Sequence, residues 1–202
     1  MDLRNISEVV AALRQRLEPV ERSELLINVL EGQPLNARNA AVLLPLFEYE
    51  GETALAFIRR SETLRSHSGQ IAFAGGGSES IDSSLVETAL REAQEEIGLE
   101  PGRAEILGLL PPMFTAVSNY VITPVVAFLP QGLGSLQLQV SEVTELIIAR
   151  LQGLAAPAIF HTEEWTRGGA SHTVYFYDYG SYRIWGATAY MLNMLLSLLE
   201  RS

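Results

Sequence analysis

Three glutamates, Glu92, Glu95 and Glu96, stand within the stretch Arg91-Glu92-Ala93-Gln94-Glu95-Glu96-Ile97-Gly98, downstream of the run Gly75-Gly76-Gly77. If the stretch is helical, at about 100° per residue, Leu85, Val86, Ala89, Leu90, Ala93 and Ile97 share one apolar arc of roughly 140°. Glu92 and Glu96 then lie one turn apart at a border of that arc, with Glu95 about 60° further round on the same side. Glu96 projects between Leu85 and Ala89, away from free solvent. Carboxylates crowded in this way repel, and partial burial raises their pKa values. A bound divalent cation removes the conflict. Hard oxygen ligands at i and i+4, with positions left open for water and phosphate, are what Mg²⁺ or Mn²⁺ accepts. Glu92, Glu96 and Glu95 are therefore the expected metal ligands. The glycine run reads as a loop through which Gly75 and Gly76 bring backbone groups close to the same ligand. Glu87 and Arg91, also one turn apart, are expected to form a supporting ion pair. The plainer alternative is a solvated acidic helix face. The glycine run, the position of Glu96 against the apolar arc and the Arg-Glu register weigh against it.

Such carboxylates need a helix with defined ends. Ser84 and Glu87 fit a capping box, and Gly98 is a C-terminal stop ahead of Pro101-Gly102. Upstream, the apolar run from Ala40 to Glu50 and the run from Glu52 to Arg60 read as two strands of a hairpin joined around Gly51. Residues 61–70 read as polar loop, and Ile71-Ala72-Phe73 as a short strand. Downstream, residues 104–110 and 120–129 read as strands flanking a loop over 111–119. Residues 172–179 alternate as a half-buried strand does. A closing amphipathic helix begins at Gly186 and carries Ala187, Tyr190, Met191, Met194, Leu195 and Leu198 on one side. At the other end Leu3, Ile6, Val9, Val10, Leu13 and Leu17 mark a helix ended near Pro19. Strands on both sides of one central helix, plus a closing helix, make a mixed α/β protein. The expected division is an N-terminal helical segment, 1–37, and a domain over 38–202. The first helix is expected either to pack on that domain or to join two copies in a homodimer. His161 and His172 have no matching constellation and read as structural, and Trp165 and the aromatic stripe over 175–179 read as packing residues.

Composition narrows the function classes. The 202 residues carry 14 basic and 24 acidic side chains, a formal charge of −10, so sequence-independent binding to nucleic acid is not expected. Any phosphate must be met through a metal ion or a local patch. With no cysteine, disulfide scaffolds, thiolate zinc sites and cysteine nucleophiles are excluded. The N-terminus lacks a signal-peptide pattern. The most apolar runs, Ala40–Phe47 and Ile184–Leu199, are too short or too polar to span a bilayer. The expectation is a cytoplasmic protein without membrane contact.

At the glutamate-rich helix the chain resembles the Nudix hydrolases, whose box reads G-x5-E-x7-R-E-U-x-E-E-x-G-U with U bulky and aliphatic. Arg91 to Leu99 match its second half, with Ala93 small for the first U. In the first half Ser83 falls where the box has glutamate. The nearest acid is Asp82, and Gly76-x5-Asp82 fits with one residue inserted before the helix. Upstream, Arg59-Arg60-Ser61-x-x-Leu64-Arg65-x-His67-x-Gly69-Gln70-Ile71-x-Phe73-Ala74-Gly75-Gly76 is similar to the signature of the coenzyme A diphosphatase branch, which commonly carries the displaced aspartate. Ala74 replaces that branch's usual proline, which loosens the turn without removing chemistry. The segment Ile184-Trp185-Gly186-Ala187-Thr188-Ala189 is similar to the start of its C-terminal helix. The resemblance spans about Arg38 to Leu196.

The resemblance implies an α/β/α sandwich with a mixed central sheet and metal-dependent hydrolysis of a diphosphate. For this branch the substrate is coenzyme A or its acyl or oxidised forms, and the products are 3′,5′-ADP and 4′-phosphopantetheine. It implies a catalytic set of Glu92, Glu95 and Arg91, with Arg91 orienting its neighbours, and Mg²⁺ or Mn²⁺ on Glu92, Glu96 and Glu95. The general base stays open among a box glutamate, Glu142 and Glu145. Arg65, His67 and Gln70, together with Gly75 and Gly76, are the implied substrate contacts; a locally hydrogen-bonded loop histidine is the alternative for His67. Two other functions remain open: a Nudix hydrolase acting on a different nucleoside diphosphate such as ADP-ribose, and a non-catalytic ligand-sensing module.

Overall fold

The longest apolar run forms strand β1 (Arg38–Tyr49), buried at every position from 40 to 47. Such unbroken burial means both faces of the strand are covered, so it lies inside the sheet. It turns into β2 (Glu52–Arg60) through Glu50 and Gly51, whose φ values of 51° and 79° form the left-handed pair that a two-residue hairpin needs. The computed structural model describes residues 1–22, 36–64, 67–167 and 169–200. The later part of the expected N-terminal segment, 23–35, lies outside the described residues.

Two short strands lie between the diverging halves of that hairpin. β3 (Ile71–Ala72) pairs with β2, and β4 (Gly75–Gly77) runs antiparallel to β1 with Ala41 opposite Gly76. The glycine run is thus a strand and not the expected loop. At its first two positions the sheet and a helix close on it. A Cβ at Gly75 would run into the Ala41 carbonyl and the Val42 backbone, and one at Gly76 would sit 2.5 Å from the Glu92 carboxylate.

Helices α1 (Ile6–Arg16) and α2 (Leu85–Ile97) have the expected places. Strands β5 (Glu105–Leu109), β6 (Met113–Thr115) and β7 (Tyr120–Phe128) follow α2; β7 runs parallel to β1 while β5 and β6 pair with it antiparallel. β6 corrects the expected loop over 111–119. β8 (Val143–Arg150), which the sequence reading did not find, pairs with β2 and completes a mixed sheet of eight strands among the described residues. A single turn, α3 (Leu151–Leu154), leads to a second sheet of β9 (Phe160–Arg167), β10 (Ala170–Tyr179) and β11 (Tyr182–Trp185), then to α4 (Gly186–Glu200).

Helix α2 packs Leu85, Ala89, Ala93 and Ile97 on one sheet face, against Ala41, Leu43, Ala54, Ala56 and Val125. Small residues on both sides bring the helix close. On the other face, Val9 and Leu13 of α1 and Met191, Leu192 and Leu195 of α4 join Leu44, Leu46, Leu55 and Phe57. The result is an α/β/α sandwich. The apolar face of α1 packs within the chain, and Arg16 Nη1 donates to the Leu198 carbonyl at 2.6 Å. No helix among the described residues is long and apolar enough to cross a membrane.

Candidate active site

Ser84 caps α2 by accepting the Glu87 N–H at 3.2 Å, and Gly98 ends the helix in the left-handed conformation at φ 72°. Glu87 reaches back to accept the Ser83 N–H at 2.7 Å. It therefore serves the helix start and does not pair with Arg91, as the spacing alone had suggested. A nearer carboxylate captures the arginine instead. Arg91 Nε and Nη2 donate to the two oxygens of Asp82 at 2.9 and 3.1 Å, and Nη2 also reaches the Gly77 carbonyl at 3.0 Å. Its Nη1 donates to Glu92 Oε1 at 3.0 Å and Glu95 Oε2 at 3.1 Å. Asp82 further accepts the Thr88 hydroxyl and the Glu79 N–H, each at 2.9 Å. The Arg91 guanidinium is the main cause that holds the Asp82 carboxyl down at about 2. The displaced acid is thus the anchor of Arg91, while Ser83 gives its backbone N–H to Glu87.

Glu96 is 1% exposed. Its Oε2 accepts the Gly75 N–H at 2.9 Å and its Oε1 accepts Arg60 Nη1 at 3.2 Å. Burial nevertheless pushes its carboxyl up to about 7, against the pull of Gly75 and Arg60, and the charges of Glu92 and Glu142 add to the rise. Glu92 lies against Gly76 and is raised by burial too, with Arg91 opposing and Glu95 and Glu142 reinforcing. Glu95 is exposed and bonds to Arg91. Of the three expected ligands, the fold seats Glu92 and Glu96 together against β4 and leaves Glu95 at the rim. Among the described residues no three His, Asp or Glu side chains converge into a ready-made cage. A buried carboxylate and a half-buried one that repel each other do suit a divalent ion of the Mg²⁺ type, which takes one or two carboxylates and completes its shell with water and phosphate.

The upstream signature reaches this site indirectly. His67, in the left-handed region at φ 55°, pairs its Nδ1 with Gln70 Oε1 at 2.9 Å. The locally bonded alternative for His67 is thus present in the structure. Arg65 lies outside the described residues. The turn is held by Arg60, whose N–H donates to the Gln70 carbonyl at 2.9 Å and whose carbonyl accepts the Gly69 N–H at 3.0 Å. Arg60 was visible in the sequence without a role; alternation along β2 would have placed it on the face opposite Arg59.

The two carboxylates considered as outside bases separate. Glu145 accepts Arg59 Nε at 2.8 Å and the Tyr182 hydroxyl at 2.6 Å, which lower its pKa. Glu142 belongs to the site electrostatically, through its effect on Glu92 and Glu96. His161 stacks on Phe176 with centroids 4.9 Å apart, as a packing residue would. Trp165 is only partly a packing residue: it leans on Phe176 and Trp185, yet it is 45% exposed.

A helix presenting paired glutamates to a glycine strand, steadied by an arginine and framed by a mixed sheet, defines a class. The profile of the NUDIX domain matches residues 37–158, and the chain belongs to the Nudix family. It is 41% identical over 160 residues to a protein of Photorhabdus laumondii subsp. laumondii named uncharacterized Nudix hydrolase NudL, covering 79% of this chain and 84% of that one. The protein of the same name from Shigella flexneri is 37% identical over 178 residues, covering 87% and 90%. In fold, the chain is similar to the crystal structure of a MutT/nudix family protein from Enterococcus faecalis, with a TM-score of 0.53 at 11% identity, covering 98% of this chain and 76% of that one.

Proposed function

We propose that this Nudix hydrolase cleaves the diphosphate of coenzyme A, or of its acyl or oxidised forms, to 3′,5′-ADP and 4′-phosphopantetheine or the corresponding derivative. Water adds to one phosphorus, the bridging P–O bond breaks, and the bridging oxygen leaves with the other phosphate. Glu92 and Glu96 would hold Mg²⁺ or Mn²⁺. That ion, when bound, neutralises the diphosphate oxygens and makes the attacking water more acidic. Arg91 fixes the directions of the Glu92 and Glu95 carboxylates, and Asp82 keeps Arg91 in place. We assign the water's proton to Glu95, whose carboxylate accepts from Arg91 and otherwise faces solvent. Arg65, His67 and Gln70, with the Gly75 and Gly76 backbone, would meet the nucleotide end of the substrate.

The observation that carries the coenzyme A reading is the connection between signature and site. The His67–Gln70 turn is bonded to the backbone of Arg60, and the side chain of the same residue bonds Glu96. The residues that single out the substrate branch are therefore part of the structure that seats the reactive carboxylates. Incubating the purified protein with coenzyme A and, separately, with ADP-ribose, each with Mg²⁺ or Mn²⁺, tests this by mass spectrometry. The expected result is 3′,5′-ADP and 4′-phosphopantetheine as the main products. Much faster hydrolysis of ADP-ribose would move the chain to another substrate, and binding without product would make it a sensor.

A further inference from the structure

Adjacent arginines at the end of β2 face opposite ways. Arg59 bonds Glu145 and lies over the Tyr182 ring at 5.5 Å, on the side of the second sheet. Arg60 points to the α2 side and bonds Glu96. The pairing of β2 with β8 shifts register between the two residues, an irregularity of the kind that re-aims side chains.

From Arg60 a closed circuit of hydrogen bonds runs through the site. Ser61 N–H donates to the Glu142 carbonyl at 2.7 Å, Glu142 N–H to the Gln139 carbonyl at 2.8 Å, and Gln139 N–H to the Glu96 carbonyl at 2.9 Å. Those links join backbone to backbone. The bond that closes the circuit, from the Arg60 guanidinium to the Glu96 carboxylate, is made by side chains. The Glu96 side chain is 2% exposed and that of Arg60 23%, so water competes little for the contact. Gly75 N–H holds the other oxygen. Each carboxylate oxygen thus carries one donor and keeps a lone pair for a further ligand.

We infer that Arg60 is a positioning residue for the cation: with the Gly75 N–H it fixes the direction in which Glu96 presents its oxygens to a divalent ion. Arg60 does not itself bind the ion. Its backbone bonds to residues 69 and 70 keep the signature turn in register with that carboxylate, whichever side chain stands at position 60. The inference rests on the cation reading proposed above, but not on the identity of the substrate.

The test is Mn²⁺ binding to the whole, substrate-free protein, read from the signal of free Mn²⁺ by electron paramagnetic resonance. Arg60→Met should bind Mn²⁺ about 10-fold or more weakly than the wild type, the usual cost of removing a group that orients a metal ligand. Arg60→Lys keeps the charge without the planar fork and should fall between. With a diphosphate substrate that the wild type turns over, the loss of kcat in Arg60→Met should be relieved by saturating Mn²⁺, with KM little changed. Wild-type Mn²⁺ affinity in both variants would overturn the inference, as would a kcat loss that excess Mn²⁺ does not relieve. If Arg60→Met fails to fold, Arg60→Lys alone decides between these results. A wild-type protein that binds no Mn²⁺ would overturn the cation reading as well, and is distinguishable from equal binding in wild type and variants.

Discussion

Asp82 stands one residue before the position that the box pattern gives its first acid, yet both its oxygens reach Arg91. Arg91 is the main cause that holds its carboxyl at about 2 in the fold, below the 3.8 of an ordinary aspartate. A depressed carboxyl contributes stability above its unfolded pKa and loses it as pH falls through the folded value. The stability gap between wild type and Asp82→Asn, measured by urea unfolding, should be about 2 kcal/mol at pH 6 and shrink between pH 4 and 2. A gap independent of pH would detach Asp82 from the arginine. Glu96 shows the opposite bias, a carboxylate that burial disfavours. Glu96→Gln should lower turnover by about 10²-fold or more while the unfolding midpoint holds or rises, because a neutral amide escapes the repulsion from Glu92 and Glu142. The sequence made Glu92 and Glu96 legible because helical geometry fixes their spacing. It misjudged Glu87, because which carboxylate captures an arginine depends on a loop residue nine positions away.

The elements differ in how plainly their residues announce them. Helix α2 has a periodic apolar arc, a serine cap and a glycine stop, and each appears where those signals put it. Strand β4 has no side chains to alternate, so its glycines read as loop, although their bareness is what lets α2 and the sheet close on them. Gly76→Ala should still fold with a stability change under about 1 kcal/mol, since the nearest atoms a Cβ there would meet belong to the flexible end of Glu92. Its turnover should fall by about 10-fold or more as that carboxylate is displaced. Differential scanning calorimetry and steady-state kinetics on one preparation check both halves. A variant with wild-type kinetics would show that Glu92 need not sit against β4. Strand β9 left little trace in the sequence because residues 162–166 are exposed, so no apolar face marks it. Its order comes from pairing with β10.

Across the whole molecule, one sheet carries the site on one face and its support on the other. α1 and α4 cover the support face, and α1 shares their core even though it precedes the part of the chain matched by the family profile. Leu13, fully buried there, should cost about 2–4 kcal/mol when replaced by alanine, and a single cooperative unfolding transition should move as a unit. A loss confined to a separate early transition would make the N-terminal helix an appendage. With a charge of −10, the molecule as a whole repels an anionic diphosphate, so a cation held by Glu92 and Glu96 is central to the proposed chemistry. The most direct measurement is anomalous scattering at the manganese edge from crystals soaked with Mn²⁺ and a non-hydrolysable diphosphate. The prediction is a peak about 2–2.3 Å from oxygens of both Glu92 and Glu96. Peaks elsewhere, or no peak at saturating Mn²⁺, would contradict it.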